Sequence, residues 1–137
     1  MTTASFDRVI SPAADKPGVI YFLANFEAKV VKIGFATNLD LRLSSIQTGN
    51  HMDLNLIYVF RACPLSEKLL HKHFASDRLR GEWFTYTPAI DDLIEDIEAY
   101  RDHWAGGDRW PEDYFVHKDE TAFILATVGS NWASPVK

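Results

Sequence analysis

Two short strand-like runs set the first constraint on this chain. Gly18–Leu23 (GVIYFL) and Lys29–Ile33 (KVVKI) are rich in β-branched and aromatic residues, which suit a pleated, half-buried surface. Between them lie Ala24, Asn25, Phe26, Glu27 and Ala28, a hairpin-length connection. If residues 25–28 form the loop, Ala24 faces Lys29 and Tyr21 faces Lys32. Opposed pairs hold their Cβ atoms about 4.5–5.5 Å apart. A slip of one residue would send the two side chains to opposite faces of the sheet.

The apolar period then changes. Thr37 or Asn38 is a good helix N-cap, and Leu39, Leu43 and Ile46 follow at i, i+4 and i+7. Gly49-Asn50 ends that helix, and Leu54–Phe60 reads as a third strand. Pro64 suits the first turn of a second helix running to about Ala75. A short aromatic run, Glu82–Tyr86, precedes Thr87-Pro88, which opens a third helix. Ile90, Leu93, Ile94, Ile97 and Tyr100 share one face of it, Asp91 and Asp92 sit near its positive end, and Gly106-Gly107 breaks it. The pattern is α+β. It divides into a flexible lead (1–17), a domain (18–104) and an acidic, aromatic-rich C-terminal extension (105–137).

A length of 137 residues suits one domain with a real core. The apolar runs fall far below the roughly 18 residues of a membrane helix, and the N-terminus lacks a signal-peptide pattern. With Cys63 as the single cysteine no internal disulfide can form. The expectation is an intracellular, cytoplasmic protein without a membrane partner. The net charge of −5 is unevenly spread. Residues 1–90 hold ten Lys/Arg and eight Asp/Glu, whereas residues 91–137 hold four and eleven. The first part is therefore compatible with phosphate binding, which depends on local cations.

Several residues could carry phosphodiester chemistry. Tyr21 is a base only if a cation favours its phenolate, and Lys32, unusual in an apolar strand, is the candidate. Alone, each reads more simply as a packed strand tyrosine and an edge-strand charge. Gly34 could admit a phosphate to the backbone, or simply turn the chain. Thr37 and Asn38 stand at a helix start, where capping competes with ligand binding. Arg42 offers a guanidinium for a phosphate gaining charge, although most helix arginines are solvated. Glu67 borders the apolar face of its helix with Leu70, His71 and Phe74. A carboxylate there must be paired, protonated or metal-bound. Magnesium is favoured over a pair with Arg78 or Arg80. His71 and His73 read as packing or phosphate-contacting residues, and Lys72, Arg78 and Arg80 as nucleic-acid contacts. Glu82 is a second carboxylate, placed below Glu67 and expected to hold structure, for which an arginine is one candidate partner.

GVIYFL, VKIGFATNLDLRLSSIQTGN, LSEKLLHKHF and RLRGEWF, in this order and spacing, resemble the GIY-YIG endonuclease superfamily. The specific likeness is to a compact branch in phage and bacterial proteins and in fungal meiotically up-regulated gene products. The resemblance implies a small three-stranded antiparallel sheet flanked by helices, with a nuclease site at one face. It implies Tyr21 as base, Lys32 at the second signature's tyrosine position, Arg42 on the phosphate and Glu67 as ligand for Mg2+ or Mn2+. Nucleic acid is the implied partner, with DNA favoured over RNA. In three places the chain departs from the pattern. The first signature reads Val-Ile-Tyr, Ile46 replaces the usual His or Tyr four residues after the arginine, and the later asparagine has no clear match. The rival reading is a non-cleaving nucleic-acid-binding or protein-interaction module. Trp104, Trp110, Tyr114, Phe115 and Trp132 could also give the extension a surface for self-association or a protein partner.

Overall fold

The hairpin forms, with a different turn from the expected one. Strands β1 (Gly18–Asn25) and β2 (Val30–Ala36) are joined by a turn over residues 26–29. Asn25 Oδ1 accepts the Ala28 N–H at 2.6 Å, and Lys29 takes a positive φ of 58°. Lys29 is thus a turn residue, and Asn25 pairs with Val30. Tyr21 faces Gly34, and Lys32 faces Leu23. The register is displaced by two residues from the expected one. A displacement of two preserves the face, so Lys32 stays on the same side as Tyr21 as its diagonal neighbour.

The computed structural model describes residues 17–105, 115–116 and 118–127. The expected lead, the Gly106-Gly107 break and the aromatics Trp110, Tyr114 and Trp132 lie outside them, as does the side chain of Trp104. After β2 come α1 (Leu39–Thr48), β3 (Asn55–Ala62) and α2 (Pro64–His73). A 3-10 turn (Ala75–Asp77), β4 (Arg78–Arg80), β5 (Trp83–Thr85), α3 (Pro88–Ala105) and α4 (Lys118–Thr127) follow. The fold is α+β, as expected. Its antiparallel sheet has five strands in the order β3-β1-β2-β5-β4, because the short β4–β5 hairpin extends the three-stranded unit past β2. Gly81, at φ 57°, makes that tight turn.

The sheet buries its two faces unequally. Ile20, Phe22, Ala24, Val31 and Ile33 point into the main core, with Leu70 and Phe74, with Ile90, Leu93, Ile97 and Tyr100 of α3, and with Ile124 of α4. The expected stripe of α3 is thus the buried one. Arg101, 1 % exposed, lies in the same layer and donates to Tyr58 Oη at 2.6 Å. Helix α4 is tied to α2 by Ser66 and Thr121, whose hydroxyls are 2.9 Å apart. Phe115 bridges to Arg61 of β3. Among the described residues, the smaller apolar cluster on the opposite face buries Tyr21, Leu23 and Ala36, with Leu39, Leu43 and Ile46 of α1 packed against them. A fully buried Leu, Ile or Phe contributes roughly 1.5–3 kcal/mol, and α1 buries none completely. It is therefore the helix that the core holds least.

Candidate active site

Strand β5 pairs with β2 only over Val30–Lys32. Beyond Lys32, that edge of β2 has no strand neighbour among the described residues, and two other groups bond its backbone at Ile33. The Ile33 N–H donates to the Glu82 carbonyl at 3.0 Å, and His71 Nε2 donates to the Ile33 carbonyl at 2.7 Å. These bonds bring the β4–β5 turn and α2 to the same notch. Glu82 arrives on the turn, and Glu67 arrives one helical turn before His71, its Oε2 3.8 Å from His71 Nε2.

Gly34 marks the centre of the notch. A Cβ there would strike the Tyr21 phenol and lie 2.8 Å from Glu82 Oε1. The glycine is required by this convergence, since the space of its missing side chain is filled by the tyrosine and the carboxylate. Tyr21 is wholly buried, and its hydroxyl makes no hydrogen bond of good geometry among the described residues, although the Arg42 guanidinium lies close enough to interact with it. Glu82 Oε1 is likewise buried without a hydrogen bond. Lys32 Nζ lies 3.2 Å from it as an ion pair, with the same ammonium 5.4 Å over the Trp83 ring.

The electrostatics depart from the expectation for Tyr21. Burial pushes its phenol above the usual value near 10; a hydrogen-bonding interaction with Arg42, and the charge of that guanidinium, oppose the rise, and the negative charges of Glu82 and Glu67 add to it. Lys32 is not the cation that acts on it, because that ammonium is committed to Glu82. The group favouring the phenolate is Arg42, which α1 projects from its exposed side while Nη1 donates to the Phe35 carbonyl at 3.3 Å. Glu67 behaves as an acid strained toward neutrality. Burial, followed by the charge of Glu82 and a hydrogen bond with it, pushes its carboxyl up to about 7; Arg42 and Lys32 pull the other way. Two carboxylates so close must share a proton or a cation.

The donor set suits a hard divalent ion. Glu67 and Glu82 offer carboxylate oxygens only, with Glu82 Oε1 already facing the Lys32 ammonium. Among the described residues no group of three or more His, Cys, Asp or Glu is arranged for a metal. A cation held here would thus keep most of its shell for water and substrate, the usual habit of magnesium.

A family model, the T5orf172 domain, matches residues 18–105. The chain belongs to the T5orf172 domain family. This is a phage-derived family linked to nucleases. No curated protein and no solved structure matches the chain. Tyr21, Lys32, Gly34, Arg42, Glu67, His71 and Glu82 all lie within the matched T5orf172 segment.

The other residues expected to contact nucleic acid lie on α1, α2 and β4 within the T5orf172 domain. Asn38 caps α1, its Oδ1 accepting the Leu41 N–H at 3.1 Å, and Thr37 is exposed beside it. Ile46, in the position of a usual His or Tyr, helps cover Tyr21 with apolar surface and offers no proton relay. His71 is committed to the Ile33 carbonyl and packs on Phe84 at 5.1 Å, while Lys72 is exposed on the outer side of α2. Arg78 and Arg80 are exposed on β4. Arg78 Nε donates to the Gly81 carbonyl at 2.7 Å, and neither arginine is the partner of Glu67. Glu82 pairs with Lys32 and not with an arginine. Its signal was a carboxylate beside Trp83 and Phe84 in a run that otherwise enters the core.

Proposed function

We propose that this chain is a metal-dependent endonuclease of the GIY-YIG type that hydrolyses phosphodiester bonds in nucleic acid, DNA in preference to RNA. The observation that carries the reading is the meeting of the Tyr21 hydroxyl and the Glu82 carboxylate over Gly34, with Glu67 and Arg42 beside them. A phenol, two carboxylates and a guanidinium in one notch match the needs of phosphoryl chemistry.

In this reading Tyr21 Oη takes the proton of the attacking water. Arg42, exposed on α1 and able to meet a substrate, balances charge gathering on the phosphate. Lys32 holds Glu82 in place and offsets the second carboxylate. Glu67 and Glu82 would hold the magnesium or manganese ion, which supplies Lewis-acid stabilisation of the leaving oxygen. Glu67 must shed its proton for that task, so binding of the ion strengthens as pH rises through about 7.

The test is cleavage of plasmid and single-stranded DNA with magnesium or manganese by wild type, Glu67→Ala and Tyr21→Phe. The expected loss in either variant is about a hundredfold or more. Equal rates in all three proteins reject the assigned roles. One observation favours a second reading, a nucleic-acid-binding module that does not cut: burial holds the Tyr21 phenol in its protonated form. Retained binding with no metal-dependent cleavage by wild type would select it.

A further inference from the structure

The face of β2 that carries the notch continues into a second feature. Gly34, Lys32 and Val30 alternate along that face, since they pair opposite Tyr21, Leu23 and Asn25. Gly34 lies under the Tyr21 phenol, Lys32 links Glu82 to Trp83, and Val30 lines a cleft of about 340 Å3. At roughly 3.3 Å per residue, Lys32 and the Trp83 wall opposite it stand about 7 Å along the strand from Gly34, and Val30 about 13 Å. Asn50, Met52, Leu79, Arg80 and Trp83 form the rest of the cleft wall.

We infer that this cleft binds an unpaired nucleobase flanking the scissile phosphate, so that the substrate is single-stranded where it meets the notch. The inference rests on the phosphodiesterase reading of that notch. Trp83 is half-buried and fixed by its place in β5 opposite Lys32. A held indole is a stacking platform for any base. Leu79 is 54 % exposed, an apolar surface that a base would cover. Arg80 contributes a planar cation suited to stacking and to the backbone charge. Asn50 supplies an edge contact: its Oδ1 already accepts the Met52 N–H at 3.0 Å, which leaves the amide N–H groups for a ligand. A base inside a duplex is already stacked on both sides and cannot enter. An unpaired one can, and the exposed Arg80 on the cleft wall and Arg42 at the notch offer cations for the phosphates on its two sides.

The test is a cycle of protein and probe. Phosphorothioate-linked, labelled oligonucleotides resist cutting and report affinity by anisotropy. The set comprises single-stranded DNA, the same sequence in RNA, a duplex, and a DNA with one abasic position scanned along it. Trp83→Ala should weaken single-strand binding roughly tenfold. One abasic position should weaken wild type similarly and cost Trp83→Ala nothing more, while Trp83→Phe keeps most of the affinity. If Trp83→Ala fails to fold, Leu79→Glu, at an exposed site, puts a repelling charge in the cleft and should produce the same loss. Independent, additive losses from the abasic site and the Trp83 variant overturn the inference, as does binding unchanged in both Trp83→Ala and Leu79→Glu. The DNA and RNA arms identify which strand is held. Cleavage that persists with binding indifferent to Trp83 sinks the cleft alone. Binding that depends on Trp83 without any cleavage sinks the nuclease reading alone.

Discussion

The raised carboxyl of Glu67 makes a quantitative prediction. Below pH 4.5 it is protonated in both folded and unfolded chains and costs nothing. Between 4.5 and about 7 the unfolded chain ionises while the folded chain keeps its proton, so stability falls as pH rises. Above about 7 the whole penalty is present. At about 1.4 kcal/mol per pH unit, the rise from 4.5 to about 7 amounts to about 3 kcal/mol. That is an upper figure, since 18 % of the side chain still meets water. Glu67→Gln keeps the shape, cannot ionise and can donate to Glu82. Its stability relative to wild type should therefore increase by up to about 3 kcal/mol between pH 4.5 and about pH 8.5. Denaturant unfolding at the two pH values measures the difference. Magnesium at the higher pH should narrow the gap by stabilising wild type alone. A gap that stays constant across the pH range would show that the carboxyl is not held toward neutrality, and the argument for a paired acidic site would fail.

Other substitutions separate structure from chemistry. Tyr21→Phe removes a buried hydroxyl that makes no hydrogen bond of good geometry and interacts only with the exposed Arg42. It should leave the melting temperature unchanged or raise stability by up to about 1 kcal/mol while cleavage is lost. Gly34→Ala forces a methyl into the Tyr21 phenol, and should cost roughly 1–3 kcal/mol in a chemical melt. Arg101→Ala empties a site 1 % exposed and removes the bond to Tyr58, for a loss of roughly 2–5 kcal/mol by the same assay. Asn38→Ala removes the cap of α1, and should cost about 1 kcal/mol, with hydrogen exchange rising first in that helix because the core holds it least.

Much of the fold was legible from period and punctuation. The α3 stripe from Ile90 to Tyr100 faces the core because a 3.6-residue repeat leaves it no other apolar partner. Asn38 caps α1 for the reason its short amide suggested. The hairpin register was not legible. It depends on Asn25 folding back onto the Ala28 N–H and on Lys29 taking a left-handed conformation, neither of which alternation encodes. The two-residue displacement moves Gly34 under Tyr21, so a residue read as an approach point for phosphate instead makes room for the phenol. The β4–β5 hairpin was too short to carry a periodic signal, and with it went the placement of Glu82. Which cation meets which acid is a matter of three-dimensional competition. Lys32 was assigned to Tyr21 by sequence, but the carboxylate on the neighbouring turn reaches it instead.

The most direct measurement is a manganese soak of crystals of the intact chain, read by anomalous scattering. The account predicts one strong peak bounded by Glu67 and Glu82 and facing Tyr21 and Arg42, present in wild type and absent from Glu67→Gln. A peak lodged elsewhere on the molecule, or an empty notch with both carboxylates ionised, would contradict it.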